Sequence, residues 1–270
     1  MKISVIQMNS QNDKAKNLED ARRFIAAAAK EDKADLVVLP EMFTMLGGPL
    51  EARRKAAEEI PGGEAYRMLQ DSAKTHGVFV HGGSYYEREG ENYYNTTVAF
   101  GRDGAELARY RKLHLFDVIT PDGREYKESA HVARGDQVIT YVADGVTVGC
   151  SICYDIRFAE LYRALAGKGA EVIMLPAAFT LQTGKDHWEP LIRARAIETQ
   201  TYFCASAQIG PHPQGNEQRF TWGHSMIVDP WGHVMAQASD SPGFVTARID
   251  RAYLADVRQK LPVHQHHVLP

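Results

Sequence analysis

The sequence predicts an α/β protein built on mixed sheets. Three observations carry that expectation. Apolar, β-branched runs are repeatedly followed by stretches with helical spacing. Several strand pairs are instead joined by short polar turns, as hairpins. No Pro/Gly/Ser-rich linker or shift of composition divides the 270 residues. Strand–helix alternation favours parallel pairing and hairpins add antiparallel pairs, so a layered fold with mixed rather than purely parallel sheets follows. A single domain over residues 1–270 is expected, with an extended, His-rich tail from about residue 261 to 270.

Taken in order, residues 2–8 read as a strand. Residues 18–30 are Ala-rich, with Leu18, Ala21, Ile25 and Ala28 at helical spacing. Residues 36–39 form a short apolar run, as in a strand buried on both faces, and end at Pro40-Glu41. Gly47-Gly48-Pro49 breaks the chain before a surface helix over 51–59, and Pro61-Gly62-Gly63 precedes another over 64–75. Residues 78–86 and 93–100 are aromatic and β-branched, adjacent antiparallel strands joined by the turn 87–92. Residues 106–115 read as a strand running into an irregular stretch, 117–136. This is the longest non-periodic segment, and such loops are commonly functional.

Residues 137–142 and 146–152 make a hairpin through Ala143-Asp144-Gly145, followed by a helix over 158–167. Residues 171–176 repeat the pattern of a strand ending in Leu-Pro, a faint echo of 36–40. A helix over 186–200, a strand over 202–209, a hairpin of 223–230 with 233–238, a strand over 243–249 and a helix over 252–260 complete the chain.

Composition narrows the function. A formal net charge of −3, with 44% hydrophobic and 24% charged residues, is that of an ordinary soluble globular protein. Nucleic-acid partners usually require a basic face, which this balance does not provide. The longest apolar runs, such as 172–179, are too short to span a bilayer, so no membrane role is expected. The opening residues lack a signal-peptide pattern. Three cysteines make no disulfide framework, which favours a reducing, cytoplasmic compartment.

Cys153 is the residue of chemical interest. It stands where an apolar strand gives way to a helix, a place where backbone N–H groups favour a thiolate. Buried inert cysteine is the commoner condition, however. Cys150-x-x-Cys153 could also be a redox or metal pair. Strand alternation speaks against this, since it puts Cys150 with Ile152 on one face and Ser151 with Cys153 on the other. No second C-x-x-C completes a zinc site, and no metal or organic cofactor is expected. A cysteine nucleophile needs a base. His114, His187 and His224 are candidates only through their places near strand ends or loops. Glu41 is more suggestive, since open α/β sheets place ligands at the C-terminal ends of strands. Lys112 on a basic strand and Glu128 in the long loop would not stand out singly.

Together these residues match a pattern. Leu39-Pro40-Glu41, then Tyr110-Arg111-Lys112-Leu113-His114-Leu115-Phe116, then Cys153-Tyr154-Asp155-Ile156-Arg157-Phe158 occur in order. Thr183-Gly184, His187-Trp188-Glu189, 193–198, Trp222-Gly223-His224-Ser225-Met226 and Leu261-Pro262-Val263 extend the match end to end. The whole resembles the nitrilase superfamily of carbon–nitrogen hydrolases, in the branch of omega-amidases and deaminated-glutathione amidases. One departure is Ala159, where such enzymes commonly carry proline. The resemblance implies a four-layer α-β-β-α sandwich and a Glu41–Lys112–Cys153 triad with Glu128 as a second carboxylate. It also implies a cysteine-dependent amidase working through a thioester, with the Tyr154 N–H in the oxyanion hole and assembly as a homodimer or larger homo-oligomer.

The substrate implied is a small carboxylate-bearing amide of the deaminated-glutathione or α-ketoglutaramate type, cleaved to acid and ammonia. Arg157 is placed to clamp its carboxylate, unless an ion pair with Glu160 or Asp155 engages it. Phe179 and Thr183 follow the second Leu-Pro strand end as pocket wall and polar contact. An N-carbamoyl amino acid hydrolase, an aliphatic amidase and a catalytically silent scaffold of the same fold are the alternatives.

Overall fold

The computed structural model describes residues 1–121, 123–215, 217–266 and 268. In chain order the first half contains β1 (Lys2–Gln7), α1 (Lys14–Glu31), β2 (Leu36–Val38), α2 (Leu50–Ala56), α3 (Glu64–His76), β3 (Phe79–His81), β4 (Tyr85–Glu89), β5 (Asn92–Phe100) and β6 (Glu106–Arg111). The second contains β7 (Asp117–Ile119), β8 (Glu125–Lys127), β9 (Thr140–Ala143), β10 (Val146–Cys150), α4 (Ala159–Gly167), β11 (Val172–Ala177), α5 (Leu181–Thr199), β12 (Tyr202–Ala207), β13 (Ile209–Gln214), β14 (Glu217–Trp222), β15 (Met226–Val228), β16 (Val234–Gln237), β17 (Gly243–Arg248) and α6 (Arg251–Lys260). No helix among the described residues is long and apolar enough to cross a membrane.

Two mixed sheets stack between helical layers. One runs β17-β1-β2-β3-β5-β4, with β6 on the other side of β5, and its β1, β2 and β3 are parallel. The other runs β16-β15-β12-β11-β10-β9, with β10, β11 and β12 parallel. The alternation of side chains explains the layering. In β1, Ile3 and Val5 face the second sheet while Ile6 faces α1 and α3; in β2, Leu36 and Val38 do the former and Val37 the latter. The outer helices contribute Leu18, Ala21 and Ile25 from α1 and Leu69 and Ala73 from α3. On the far side Tyr162 and Leu165 of α4, with Trp188 and Ile192 of α5, cover the second sheet. The expected α-β-β-α sandwich is therefore present.

Several local readings change. The strand expected over 78–86 is two strands laid successively along β5, because Gly82-Gly83 turns the chain between them. The expected helix over 51–59 stops at Ala56, and Glu58 turns inward to accept the Ala65 N–H at 2.8 Å, capping α3. α5 begins at Leu181, earlier than its periodicity indicates, because Thr180 caps it through the Thr183 N–H. The stretch 117–136 is not wholly irregular: β7 and β8 pair within it. The β13–β14 hairpin was not expected, since Pro211 and Pro213 obscure a strand pattern. The tail is partly anchored, with His264 Nε2 3.0 Å from the Thr199 carbonyl oxygen; His267 lies outside the described residues.

The break between β3 and β4 bears directly on Glu41. Gly83 has φ +58°, and a Cβ there would be driven into the Pro40 carbonyl oxygen. Next to it, the Ser84 N–H donates to that oxygen at 3.2 Å and Ser84 Oγ accepts the Met42 N–H at 3.1 Å. Gly83→Ala is therefore expected to destabilise the protein by about 2 kcal/mol or more. It should lower activity as well, because the turn carrying Glu41 must move. Denaturant midpoints with parallel kinetics check this, and unchanged values would contradict it.

Candidate active site

Strand ends of the first sheet and the turn after β8 deliver the charged groups to one point. Glu41 follows β2, Lys112 follows β6, Asn95 sits within β5, and Glu128 opens a 3-10 turn after β8. Lys112 Nζ lies 2.9 Å from Glu41 Oε1 and 2.9 Å from Glu128 Oε2. Asn95 Nδ2 donates to Glu41 Oε1 at 2.9 Å and to Glu128 Oε1 at 3.2 Å. The Phe116 N–H anchors Glu128 Oε2 at 2.7 Å, and Gln208 Nε2 donates to the Glu41 carbonyl oxygen at 3.0 Å. Glu41 and Lys112 are almost wholly buried.

Cys153 enters from the second sheet, and its thiol lines the same cavity as the Glu41 carboxylate, near enough for the two charges to act on each other. β10 ends at Cys150, and Cys153 opens a 3-10 turn over Cys153–Arg157 with φ +48°. A non-glycine residue in that region is strained, and Met42, directly after Glu41, is held the same way at φ +53°. The buried Asp155 carboxylate holds the turn. It accepts from the Ile152 N–H at 2.9 Å, the Tyr110 hydroxyl at 2.7 Å and the His114 N–H at 3.0 Å, and lies 2.8 Å from His114 Nδ1. His114 is thereby committed, and its ring stacks on Phe158 with centroids 3.8 Å apart.

The charge states follow from burial and neighbours. Burial pushes the Glu41 carboxyl up, but the Lys112 ammonium and hydrogen bonds from Cys153, Lys112 and Asn95 outweigh it and leave it below its ordinary value. Burial alone would lower Lys112, yet Glu128 and Glu41 hold it well above its ordinary range. Burial raises the Cys153 thiol, and the Glu41 charge raises it further against the pull of Lys112. The resting state is a carboxylate, an ammonium and a neutral thiol. The Glu41 charge thus works against the thiolate that backbone N–H groups at the turn would favour, in keeping with a Glu41 that takes the thiol proton during the reaction.

All of the sequence-derived site residues line one cavity of about 440 Å³: Glu41, Lys112, Glu128, Cys153, Tyr154, Arg157, Phe179 and Thr183. Tyr154 is the second residue of the 3-10 turn, where N–H groups lack acceptors within the turn. Arg157 Nη2 lies 3.2 Å from His187 Nδ1, and its guanidinium sits 5.5 Å from the Phe179 ring centre. Neither Glu160 nor Asp155 forms an ion pair with it. Thr183 Oγ1 is 2.8 Å from Thr180 Oγ1 within the first turn of α5. His224 stacks on Trp222, away from the Glu41–Cys153 pair.

Asn95, Arg53 and Arg219 escaped the sequence reading. Asn95 had one usable signal, a polar Asn-Thr-Thr run inside an otherwise aromatic and apolar strand. The two arginines had none.

A family model described as "Carbon-nitrogen hydrolase" matches residues 2–259. The chain is 43% identical over 270 residues to a deaminated glutathione amidase of a Synechocystis strain, covering 98% of this chain and 97% of that protein. It is 38% identical over 262 residues to an omega-amidase of Danio rerio, covering 97% of this chain and 92% of that one. Its fold superposes on the C. elegans NitFhit crystal structure with a TM-score of 0.90 at 37% identity; it covers 98% of this chain but only 64% of that longer protein.

The turn at Cys153 depends on Asp155, which accepts from two backbone N–H groups and a hydroxyl in a fully buried position. Asp155→Ala is expected to cost about 3 kcal/mol in stability, because those donors are left buried and unpaired. Asp155→Asn should keep more of the stability yet turn an N–H₂ towards donors and lower kcat. Unfolding midpoints and steady-state kinetics together check both; equal stability of Asp155→Ala and the parent would contradict the role.

Proposed function

The chain belongs to the carbon–nitrogen hydrolase family and is an enzyme of that class, and from this premise we propose that it is a cysteine amidase using Glu41, Lys112 and Cys153. The observation that carries the reading is a Glu41 carboxylate, held by Lys112 and Asn95, that lines the same cation-bearing cavity as the Cys153 thiol. Glu41 takes the thiol proton as sulfur attacks the amide carbon, so no resting thiolate is required. Lys112 and the Tyr154 N–H face the oxygen on which charge develops. Glu41 then returns the proton to the departing nitrogen and leaves a thioester on Cys153. Water, deprotonated by Glu41, cleaves the thioester and restores the thiol. The net change is amide plus water to acid plus ammonia or amine. Glu128, anchored by Phe116, keeps Lys112 charged and in place.

The substrate class proposed is an amide of a small 2-oxo acid, of the α-ketoglutaramate or deaminated-glutathione type. The printed activities of the relatives support it, as does Arg157 at the cavity wall without a carboxylate partner among the described residues. We place the protein in a reducing cytoplasmic compartment, where the free buried Cys150, Cys153 and Cys204 persist. We also propose a homo-oligomer. Ile197 of α5 packs beside the Gly232 turn next to the exposed Trp231, an apolar surface suited to self-association.

Two substitutions test the mechanism. Glu41→Gln should lower kcat by about a hundredfold to ten-thousandfold, as for a lost general base. Because the Glu41 charge raises the Cys153 thiol, the same substitution should move the pH dependence of iodoacetamide labelling of Cys153 to lower pH. Unchanged turnover would remove Glu41 from the mechanism, and a shift to higher pH would contradict the electrostatic assignment. In the parent enzyme the depressed Glu41 carboxyl should keep activity on the acid side until pH falls below the ordinary carboxylate value of 4.5. Arg157→Ala should raise KM about tenfold or more for a carboxylate-bearing amide. Equal KM values would dismiss the clamp.

A further inference from the structure

The two carboxylates that hold Lys112 are not equivalent. Glu128 has both oxygens occupied. Its Oε1 accepts from Lys112 Nζ and from Asn95 Nδ2, each at 3.2 Å. Its Oε2 accepts from Lys112 Nζ at 2.9 Å and from the Phe116 N–H at 2.7 Å. Glu41 takes both of its nitrogen donors on one oxygen: Lys112 Nζ and Asn95 Nδ2 each lie 2.9 Å from Oε1. Among the described residues no nitrogen donor reaches Glu41 Oε2. That oxygen is the one left to hold or move a proton. The terminal torsion of a glutamate is broad and roughly two-fold, so a carboxylate held by one flexible ammonium can present either oxygen. A second donor on Oε1, fixed in direction, removes that freedom.

Asn95 is built to be that second donor. It lies within β5, opposite Tyr86 of β4, and is fully buried. Its carbonyl oxygen accepts the Lys112 N–H at 2.9 Å, so its backbone anchors the ammonium-bearing residue while its amide serves both carboxylates. The amide nitrogen has two hydrogens, one for each carboxylate, and the flipped amide would set its oxygen against both of them. Asn95 Oδ1 is enclosed with no hydrogen-bond partner. A buried acceptor left unpaired costs stability, so the orientation of this amide is set by the carboxylates and not by the needs of the fold. The charged and titratable groups facing Glu41 are Lys112 after β6, Glu128 after β8 and Cys153 after β10. Burial pushes the Glu41 carboxyl up, and Asn95 joins Lys112 in drawing it back down.

We propose that Asn95 is a positioning residue that pins Glu41 Oε1 and thereby makes Oε2 the oxygen that carries the proton through the reaction. This rests on the amidase reading above and deepens it. The bonds broken and made are those already given. During acylation Oε2 takes the thiol proton and delivers it to the departing nitrogen; during deacylation it takes a proton from water and returns it to sulfur. The two deliveries of acylation give the proposal its consequence. An amide nitrogen must be protonated to leave, whereas a p-nitrophenolate leaves as the anion. An enzyme that lacks Asn95 is therefore impaired twice with an amide and once with such an ester.

The test compares α-ketoglutaramate with the p-nitrophenyl ester of the same acyl group, using kcat/KM, which reports acylation. Asn95→Leu keeps the shape of the side chain and removes both donors. It is expected to lower kcat/KM by about a hundredfold for the amide and by about tenfold or less for the ester. A merely structural role would lower both alike, and equal losses, or none, overturn the proposal. Infrared titration of the full-length enzyme supplies a second readout, with the Glu41 carboxyl band identified by its absence in Glu41→Gln. In Asn95→Leu that band should titrate at higher pH, because the charged form has lost a hydrogen bond. A band that titrates where it does in the parent overturns the proposal. If the parent cleaves neither compound, the amidase reading fails by itself, and the infrared shift still decides whether Asn95 pins Glu41. Should Asn95→Leu not fold, Asn95→Ser, whose hydroxyl is too short to reach either carboxylate, takes its place in both measurements with the same expectations.

Discussion

The buried ammonium of Lys112, held between Glu41 and Glu128, is the interaction on which the site depends. Taking three charges out of water is expensive, and the cost is recovered only when each is paired and hydrogen-bonded. Asn95 completes that condition by donating to both carboxylates, and Phe116 adds a backbone N–H to Glu128. The arrangement sets the protonation states that the chemistry uses. It holds Glu41 as a carboxylate and Lys112 as an ammonium, while the same Glu41 charge keeps the Cys153 thiol neutral. Activation is thus deferred until sulfur attacks, when Glu41 stands in the same cavity to accept the proton.

The architecture exists to bring these groups together from distant parts of the chain. Glu41, Asn95 and Lys112 come from the first sheet, and Cys153 from the second. Neither sheet could hold the site alone. The β-branched residues that alternate between the two faces of β1 and β2 fix the spacing of the sheets, and this spacing decides whether thiol and carboxylate meet. The backbone is strained at both turns that present them, at Met42 and Cys153, and hydrogen bonds involving Ser84 and Asp155 brace them.

Much of this was legible in the residues. The mixed α/β class followed from strands, helices and hairpins in alternation, and Glu41, Lys112, Glu128 and Cys153 followed from three short motifs read as a set. What was missed has physical reasons. Proline hid the β13–β14 hairpin because it cannot donate to a ladder and so weakens the pattern of a strand. The Gly82-Gly83 break carried its own signal, but the aromatic and β-branched residues on either side of it read as one strand. Arg53 and Arg219 resembled solvated surface charges, one on a short helix and one in a polar segment.

The sequence by itself determined the local order of the chain and which residue types were available for chemistry, because both are written in periodicity and short-range motifs. Only the tertiary structure decided their electrostatic state and their company. The resting thiol at Cys153, the double hydrogen bond from Asn95 and the convergence of Arg53 with Arg219 on one cavity all depend on burial and on contacts between residues far apart in the chain. Burial and long-range contact are properties of the packed sheets, and no window of sequence carries them.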